Sequence, residues 1–315
     1  MTLLKQHSFL KQPKDEDYLW RYIKPERIRD FLDGNIYFSP LASFDDYYEA
    51  ISPLHYCVLS FLKRSAPRNF DLSIPISEVP DIETFIGNIF MWMNLYHTNK
   101  VLSHLTGVTD EKLLREKLFH YCENPKIFSQ PRFEIQSSHC ASCWFVGDSV
   151  ESALMWASYS QPGGIAVRIR YSDFKAIVQN YFTTNSYSLA SQGVTNVYSG
   201  LIEYVDFDDQ EKWSQLSDTG VPLAFFKQHF YKQENEYRLM IVKKDAQQPF
   251  NNLIRLIDDI TKFTIILHPS STHLDLLKVK GMIPNPTYVH ISLSRMESKD
   301  KKYIEYIQAQ PSGPS

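Results

Sequence analysis

The 315-residue chain has no apolar run approaching the ~20 residues that a membrane-spanning helix needs. Its opening stretch, MTLLKQHSFLKQPKDEDY, is too short and too interrupted in its apolar part for a secretory signal. Cysteine is scarce, with four residues at 57, 122, 140 and 143, which suits free thiols in a reducing cytoplasm. A basic excess is missing too. Lys and Arg number 33 against 36 Asp and Glu, a net charge of −3, so no global field draws the chain to nucleic acid. A local basic groove stays open. Glycine is sparse, at 11 residues, and builds no phosphate-cradling loop; G-x-S-x-G elbows and H-E-x-x-H helices are also absent. These absences lead us to expect a cytoplasmic protein with no membrane partner.

One C-x-x-C is present, Cys140 and Cys143 in HCASCWF. A structural zinc site needs a second such pair or a closely spaced His pair. Cys57 and Cys122 supply neither, although His139 is adjacent. A thioredoxin-like motif opens a helix after a strand, whereas Trp144, Phe145 and Val146 continue an apolar run. The pattern therefore reads as buried strand cysteines, with no metal site.

Aromatic residues are abundant, at 14% with 20 Phe and 19 Tyr, which favours a strand-rich core or an aromatic-lined cleft. Alternation and punctuation order the chain. LWRYI (19–23) reads as a strand. Pro25 opens a helix with Ile28, Phe31 and Leu32 in phase and Gly34 at its end. IYFS (36–39) is a second strand, and Ser43 then caps a helix with Asp45 and Asp46 in its first turn. CVLSFL (57–62) is a strand candidate. Loop over 64–80 and helices over about 82–96 and 110–122 make a helical insertion at about 64–130. HCASCWFV, GIAVRIR, YSGLIEYVDF, FTIILHP and TYVHISLS follow as strands. Helices are expected in DSVESALMWASYS, LAFFKQHF and STHLDLLKV, and a polar stretch over 183–192 separates two parts. The expectation is one α+β domain over residues 1–300, followed by a mobile tail at 301–315. The alternation is too irregular for a doubly wound sheet.

The segment KQENEYRLMIV (232–242) carries the sharpest chemistry. Its second half alternates as a largely buried strand. If the first half is extended, Glu234, Glu236 and Arg238 point to one face. Two carboxylates and a guanidinium at a strand's mouth are either a site or an ion-pair network.

Five patches, LWRYI, GNIYFSPLASFDDYYE, CWF with ESALMWASYS, GGIAVRI and ENEYRLMI, resemble in order and spacing the bacterial family called domain of unknown function 2971. ILHPSS (266–271) and the late Ser of HISLS fit its ending. The pattern is similar, more distantly, to the ADP-ribosyltransferase-like fold. That likeness implies a split or bent, antiparallel-rich sheet with flanking helices. It also implies transfer of ADP-ribose from NAD to a macromolecular acceptor, protein or nucleic acid, in a toxin or phage-defence setting with a neutralising protein partner. The first-strand Arg maps to Arg21, the middle element to Ser142 or Tyr159, and the late Glu-x-Glu to Glu234 and Glu236. No clear S-T-S is present, and the insertion is long.

Breaking the nicotinamide–ribose bond makes an oxocarbenium-like centre, which a fixed carboxylate stabilises. That role is assigned to Glu236, with Glu234 orienting or deprotonating the acceptor. Arg21 would hold ribose or pyrophosphate by a forked contact, with Arg238 also counted among the binding residues. Tyr22, Tyr159 or Trp156 would stack on a ring of the dinucleotide. Two other readings stay open. One is a non-enzymatic module that binds a nucleotide or a partner in an aromatic cleft. The other is a metal-dependent nuclease using Asp45, Asp46 and Glu49 with Lys227 or Lys232, although their spacing fits no defensible ligand set.

Overall fold

The computed structural model describes residues 5–46, 48–52, 56, 110, 112–113, 116, 125–209, 221–244 and 252–296. The chain divides into two compact units. The first comprises residues 1–39, 140–201 and 234–315, and the second residues 40–139 and 202–233. The insertion expected over 64–130 belongs to the second unit and lies almost wholly outside the described residues, as do the candidate strand 57–62 and the tail.

In chain order the elements are β1 (Lys5–Phe9), β2 (Tyr18–Ile23), α1 (Ile28–Leu32), β3 (Asn35–Tyr37), β4 (Ser39–Pro40), α2 (Pro125–Ser138) and β5 (His139–Gly147). They continue with α3 (Ala153–Tyr159), β6 (Ile165–Arg170), α4 (Tyr171–Thr184), α5 (Ser186–Ser191), β7 (Val194–Leu201), β8 (Glu203–Val205) and β9 (Phe226–Gln228). The last are β10 (Glu236–Lys243), β11 (Leu253–Arg255), β12 (Thr264–Leu267), α6 (His273–Gly281) and β13 (His290–Leu293). The protein is thus α+β, with an open and mostly antiparallel main sheet.

In the first unit the sheet runs β1-β7-β10-β5-β2-β6-β12-β13. The outer pairs β1–β7 and β12–β13 are parallel; β7–β10, β5–β2, β2–β6 and β6–β12 are antiparallel. Strand alternation gives each face its own core. On one face Leu19, Ile23, Trp144, Val167, Tyr237, Leu239 and Ile265 pack with Phe174, Val178 and Phe182 of α4 and Ile28 and Phe31 of α1. On the other, Trp20, Tyr22 and Ala166 pack with Met155 and Trp156 of α3. A fully buried side chain of this size contributes about 1.5–3 kcal/mol. The two-sided burial explains why β2, β6 and β10 read as near-continuous apolar runs.

The β2–β5 ladder covers Tyr18 to Trp20 and ends there, whereas β2–β6 pairing continues to Ile23. The sheet therefore splits at Arg21.

Several local expectations are corrected. Ser43 caps no helix: Leu41–Ser43 is a 3-10 turn, and Asp46 Oδ1 instead accepts from the Tyr48 amide at 2.9 Å. LAFFKQHF is not an α-helix. Leu223–Phe225 is a single 3-10 turn behind Pro222, and Phe226–Gln228 is extended, pairing in parallel with β8. The run Ala224–Gln228 is buried throughout, so strand pairing overrides its helical look. The stretch 171–184 is a 14-residue helix, α4, whose buried Phe174, Val178 and Phe182 recur every four residues. The polar stretch 183–192 holds the end of α4 and all of α5 rather than a linker.

The second unit has an aromatic centre of Tyr56, Phe207 and Phe226 with Ile51 and Val205. In it Arg132 Nε and Gln136 Nε2 of α2 each donate to the Glu49 carbonyl at 3.2 Å.

Candidate functional site

The eight residues singled out from the sequence fall into four pairs. The first is Arg21 with Ser142. Arg21 occupies the split in the sheet: one guanidinium nitrogen donates to Ser142 Oγ, and Nη2 donates to the Tyr37 carbonyl at 2.8 Å. Trp144 Nε1 donates to the same Ser142 Oγ at 3.0 Å, and its ring lies 5.6 Å from the guanidinium carbon. Desolvation, with the nearby Arg27, lowers the Arg21 pKa to about 10, so the group stays a cation at neutral pH.

Tyr22 and Trp156 form the second pair, on the opposite face. Their rings meet edge to face at 4.9 Å, and Trp156 meets His268 the same way at 5.2 Å. The Tyr22 hydroxyl accepts from the Ser152 amide at 2.9 Å. Burial, reinforced by the charge of Glu151, pushes the Tyr22 pKa up to about 12.

Glu236 and Arg238 are the third pair. Arg238 Nε donates to Glu236 Oε1 at 2.7 Å, with both side chains buried. Tyr237, Leu239 and Ile241 face the α4 side, so Glu236 and Arg238 face the other. Arg21 and Glu236 therefore lie on opposite faces of the sheet. The ion pair runs along one strand rather than between neighbouring strands.

The fourth pair is Tyr159 with Glu234. Tyr159, the last residue of α3, donates its hydroxyl to Glu234 Oε1 at 2.6 Å. Glu234 is not part of the extended strand: it ends a 3-10 turn, and Asn235 follows at φ 37°. Asparagine tolerates this left-handed geometry better than most residues. Two bonds hold it: Asn235 Nδ2 to the Val146 carbonyl at 2.6 Å, and the Val146 amide to the Asn235 carbonyl at 2.8 Å.

Beside the split lies a cleft of about 330 Å³, whose lining includes Arg21, Tyr22, Lys24, Arg27, Tyr37 and Tyr159. Sequence reading missed Arg27 and Tyr37. The Arg27 guanidinium stacks 4.1 Å from the Tyr37 ring centre and pairs with Asp30 at 3.2 Å. The only sequence signal was their place in the helix and strand that follow LWRYI. The cleft combines three cations, Arg21, Lys24 and Arg27, with two carboxylates, Glu26 and the Arg27-paired Asp30, and three tyrosines, one of which, Tyr159, bonds Glu234. Such a surface suits an anionic ligand carrying flat rings.

Cys140 is buried and Cys143 half-buried in β5; both are free thiols and, three residues apart on a strand, they point to opposite faces. Among the described residues no group of three or more His, Cys, Asp or Glu side chains is placed to hold a metal. Asp46 and Glu49 are buried in the second unit. Among the described residues no helix is long and apolar enough to cross a membrane.

The chain matches no known family model, no curated protein and no solved structure. The family resemblance therefore rests on the sequence patches alone.

Proposed function

We propose that the cleft at the β2–β5 split binds NAD and that the protein transfers ADP-ribose from it to a macromolecular acceptor, as a toxin or defence effector of the kind the resemblance implies. The observation that carries this reading is the split itself. Next to it a desolvated Arg21, fixed by Ser142 and the Tyr37 carbonyl, lines a cleft together with Tyr159, whose hydroxyl bonds Glu234.

In this reaction the C–N bond between nicotinamide and ribose breaks, and its electron pair leaves with nicotinamide. A nucleophilic oxygen or nitrogen of the acceptor bonds to the ribose carbon, and its proton passes to a carboxylate and on to water. Glu236 is engaged by Arg238 and Asp30 by Arg27, and of the two glutamates singled out from sequence Glu234 is the one tied to the cleft, through Tyr159. The roles given to the two glutamates from sequence are accordingly exchanged: Glu234 serves the reacting sugar, and Glu236 holds the strand. Arg21 binds the phosphate or ribose side. Ligand pockets span roughly 300–1,000 Å³, so this cleft takes part of a dinucleotide and leaves the rest at its open mouth.

The test uses NAD labelled on its adenylate part, incubated with cell lysate and the purified protein. Wild type should place label in the protein or nucleic-acid fraction, and Glu234→Gln and Arg21→Lys should abolish it. NAD binding without consumption would instead support a non-enzymatic nucleotide-binding module. Its supporting observation is the Glu236–Arg238 ion pair, which removes the carboxylate expected from sequence to be catalytic. No NAD binding by folded wild type would overturn both.

A further inference from the structure

Helix α3 bears on two residues that line the cleft, its own Tyr159 and Tyr22 of β2. Its N-cap residue, Ser152, holds the Tyr22 hydroxyl at 2.9 Å through its amide. Its last residue, Tyr159, lines the cleft and holds Glu234 at 2.6 Å. A seven-residue helix is too short to hold itself, so its position must come from outside. The Ser152 side chain caps it, accepting from the Met155 amide at 3.3 Å. The residue before the cap, Glu151, does more. Its Oε2 accepts from Trp156 Nε1 at 2.8 Å and from Ser294 Oγ at 2.6 Å, and its Oε1 accepts from the Arg295 amide at 2.9 Å. Ser294 is itself buried, and its hydroxyl also accepts from the Met296 amide at 3.0 Å.

We infer that Glu151 is a positioning residue of the cleft: by binding the segment after β13 on one side and Trp156 on the other, it locks α3 so that Tyr22 and Tyr159 stand where the ligand needs them. The inference rests on the reading of the cleft as the NAD site and goes beyond it by naming what holds that site in shape. Glu151 is not among the residues lining the cleft; it acts through α3. The chemistry favours a carboxylate specifically. All three partners are donors, and a carboxylate offers acceptors on both oxygens. An amide of the same shape turns one of them into a donor facing a donor. The Glu151 charge also contributes to the raised Tyr22 pKa, which is a second sign that the two groups are coupled.

The experiment compares wild type, Glu151→Gln and Ser294→Ala by hydrogen exchange without ligand and by NAD titration. Glu151→Gln should speed exchange of the α3 amides at least tenfold, leave the amides of β7 and β10 unchanged, and weaken NAD binding at least tenfold. Ser294→Ala, which keeps the charge and removes one donor, should do the same to a smaller degree. Glu151→Asp, which keeps both acceptor oxygens, should recover part of the affinity. Unchanged α3 exchange in Glu151→Gln would overturn the inference whatever NAD does. Faster α3 exchange with unchanged NAD affinity would overturn it as well. Failure of wild type to bind NAD would defeat the NAD reading itself, and the exchange data would still decide whether Glu151 locks the helix.

Discussion

Replacing Glu236 by Gln preserves its shape and removes its charge, which leaves the Arg238 guanidinium without the carboxylate on its Nε. Arg238 is fully buried and Glu236 is 5% exposed, so solvent screens the pair little. Removing one partner of a buried pair costs about 3–5 kcal/mol, because the remaining charge stays desolvated. The retained amide oxygen still accepts from Arg238, which places the expected loss for Glu236→Gln near the bottom of that range, about 3 kcal/mol. With a urea m-value of about 2 kcal/mol/M, the unfolding midpoint of the first unit should fall by about 1.5 M. The assay is urea unfolding followed by hydrogen exchange of the β10 amides, which reports this unit separately from the other. The double variant Glu236→Leu, Arg238→Met should recover most of the loss, since a whole buried pair is often replaceable by apolar residues at little cost. A loss below about 1 kcal/mol for Glu236→Gln would refute the reasoning and return Glu236 to the list of groups available for chemistry.

Three further outcomes are expected. Arg21→Lys should lose the simultaneous contacts to Ser142 and the Tyr37 carbonyl, because a single ammonium cannot copy the fork; stability should fall by about 1–3 kcal/mol, read by thermal unfolding. His139 is held neutral by burial, its pKa lowered to about 4. The unfolded chain takes up that proton near pH 6.5 and the folded one only near pH 4, so stability should fall as pH drops through this window, by up to about 3 kcal/mol. Urea midpoints at pH 7 and pH 4.5 check it, and His139→Gln should flatten that part of the profile. Thr272→Ala should remove one side of the α6 capping box, in which the Thr272 amide donates to Asp275 Oδ2 at 2.9 Å and the Thr272 side chain accepts from the Asp275 amide. The cost should be about 1 kcal/mol by urea unfolding, with cleft binding unchanged.

The local elements of the first unit were largely legible in the sequence. β2, β5, β6, β10 and β12 each carry an apolar run long enough to declare a strand, because both faces of the sheet are covered and both need apolar side chains, whereas β13 at the edge alternates. α1 announced itself through Pro25 and Gly34, whose backbone chemistry is local, and α6 was expected within STHLDLLKV. The clearest miss has a tertiary cause. Residues 223–230 have helical spacing, yet pairing with β8, a distant segment, made part of the run a strand, and no local signal carries that information.

The sequence by itself singled out Glu234, Glu236 and Arg238 by residue type and spacing, and the resemblance added Arg21, Ser142 and Tyr159 as candidates. Only the tertiary structure decided who meets whom. Period-two alternation carried the strand back to Glu234, and a 3-10 turn with one asparagine at positive φ, stapled to the end of β5, started it at Glu236 instead. Arg21 and Glu236 were drawn into one site by analogy, and strand parity sent them to opposite faces. The β2–β5 ladder ends at Trp20, next to the cleft residues Arg21 and Tyr22, and a break in pairing between segments more than 120 residues apart has no local signature in either of them.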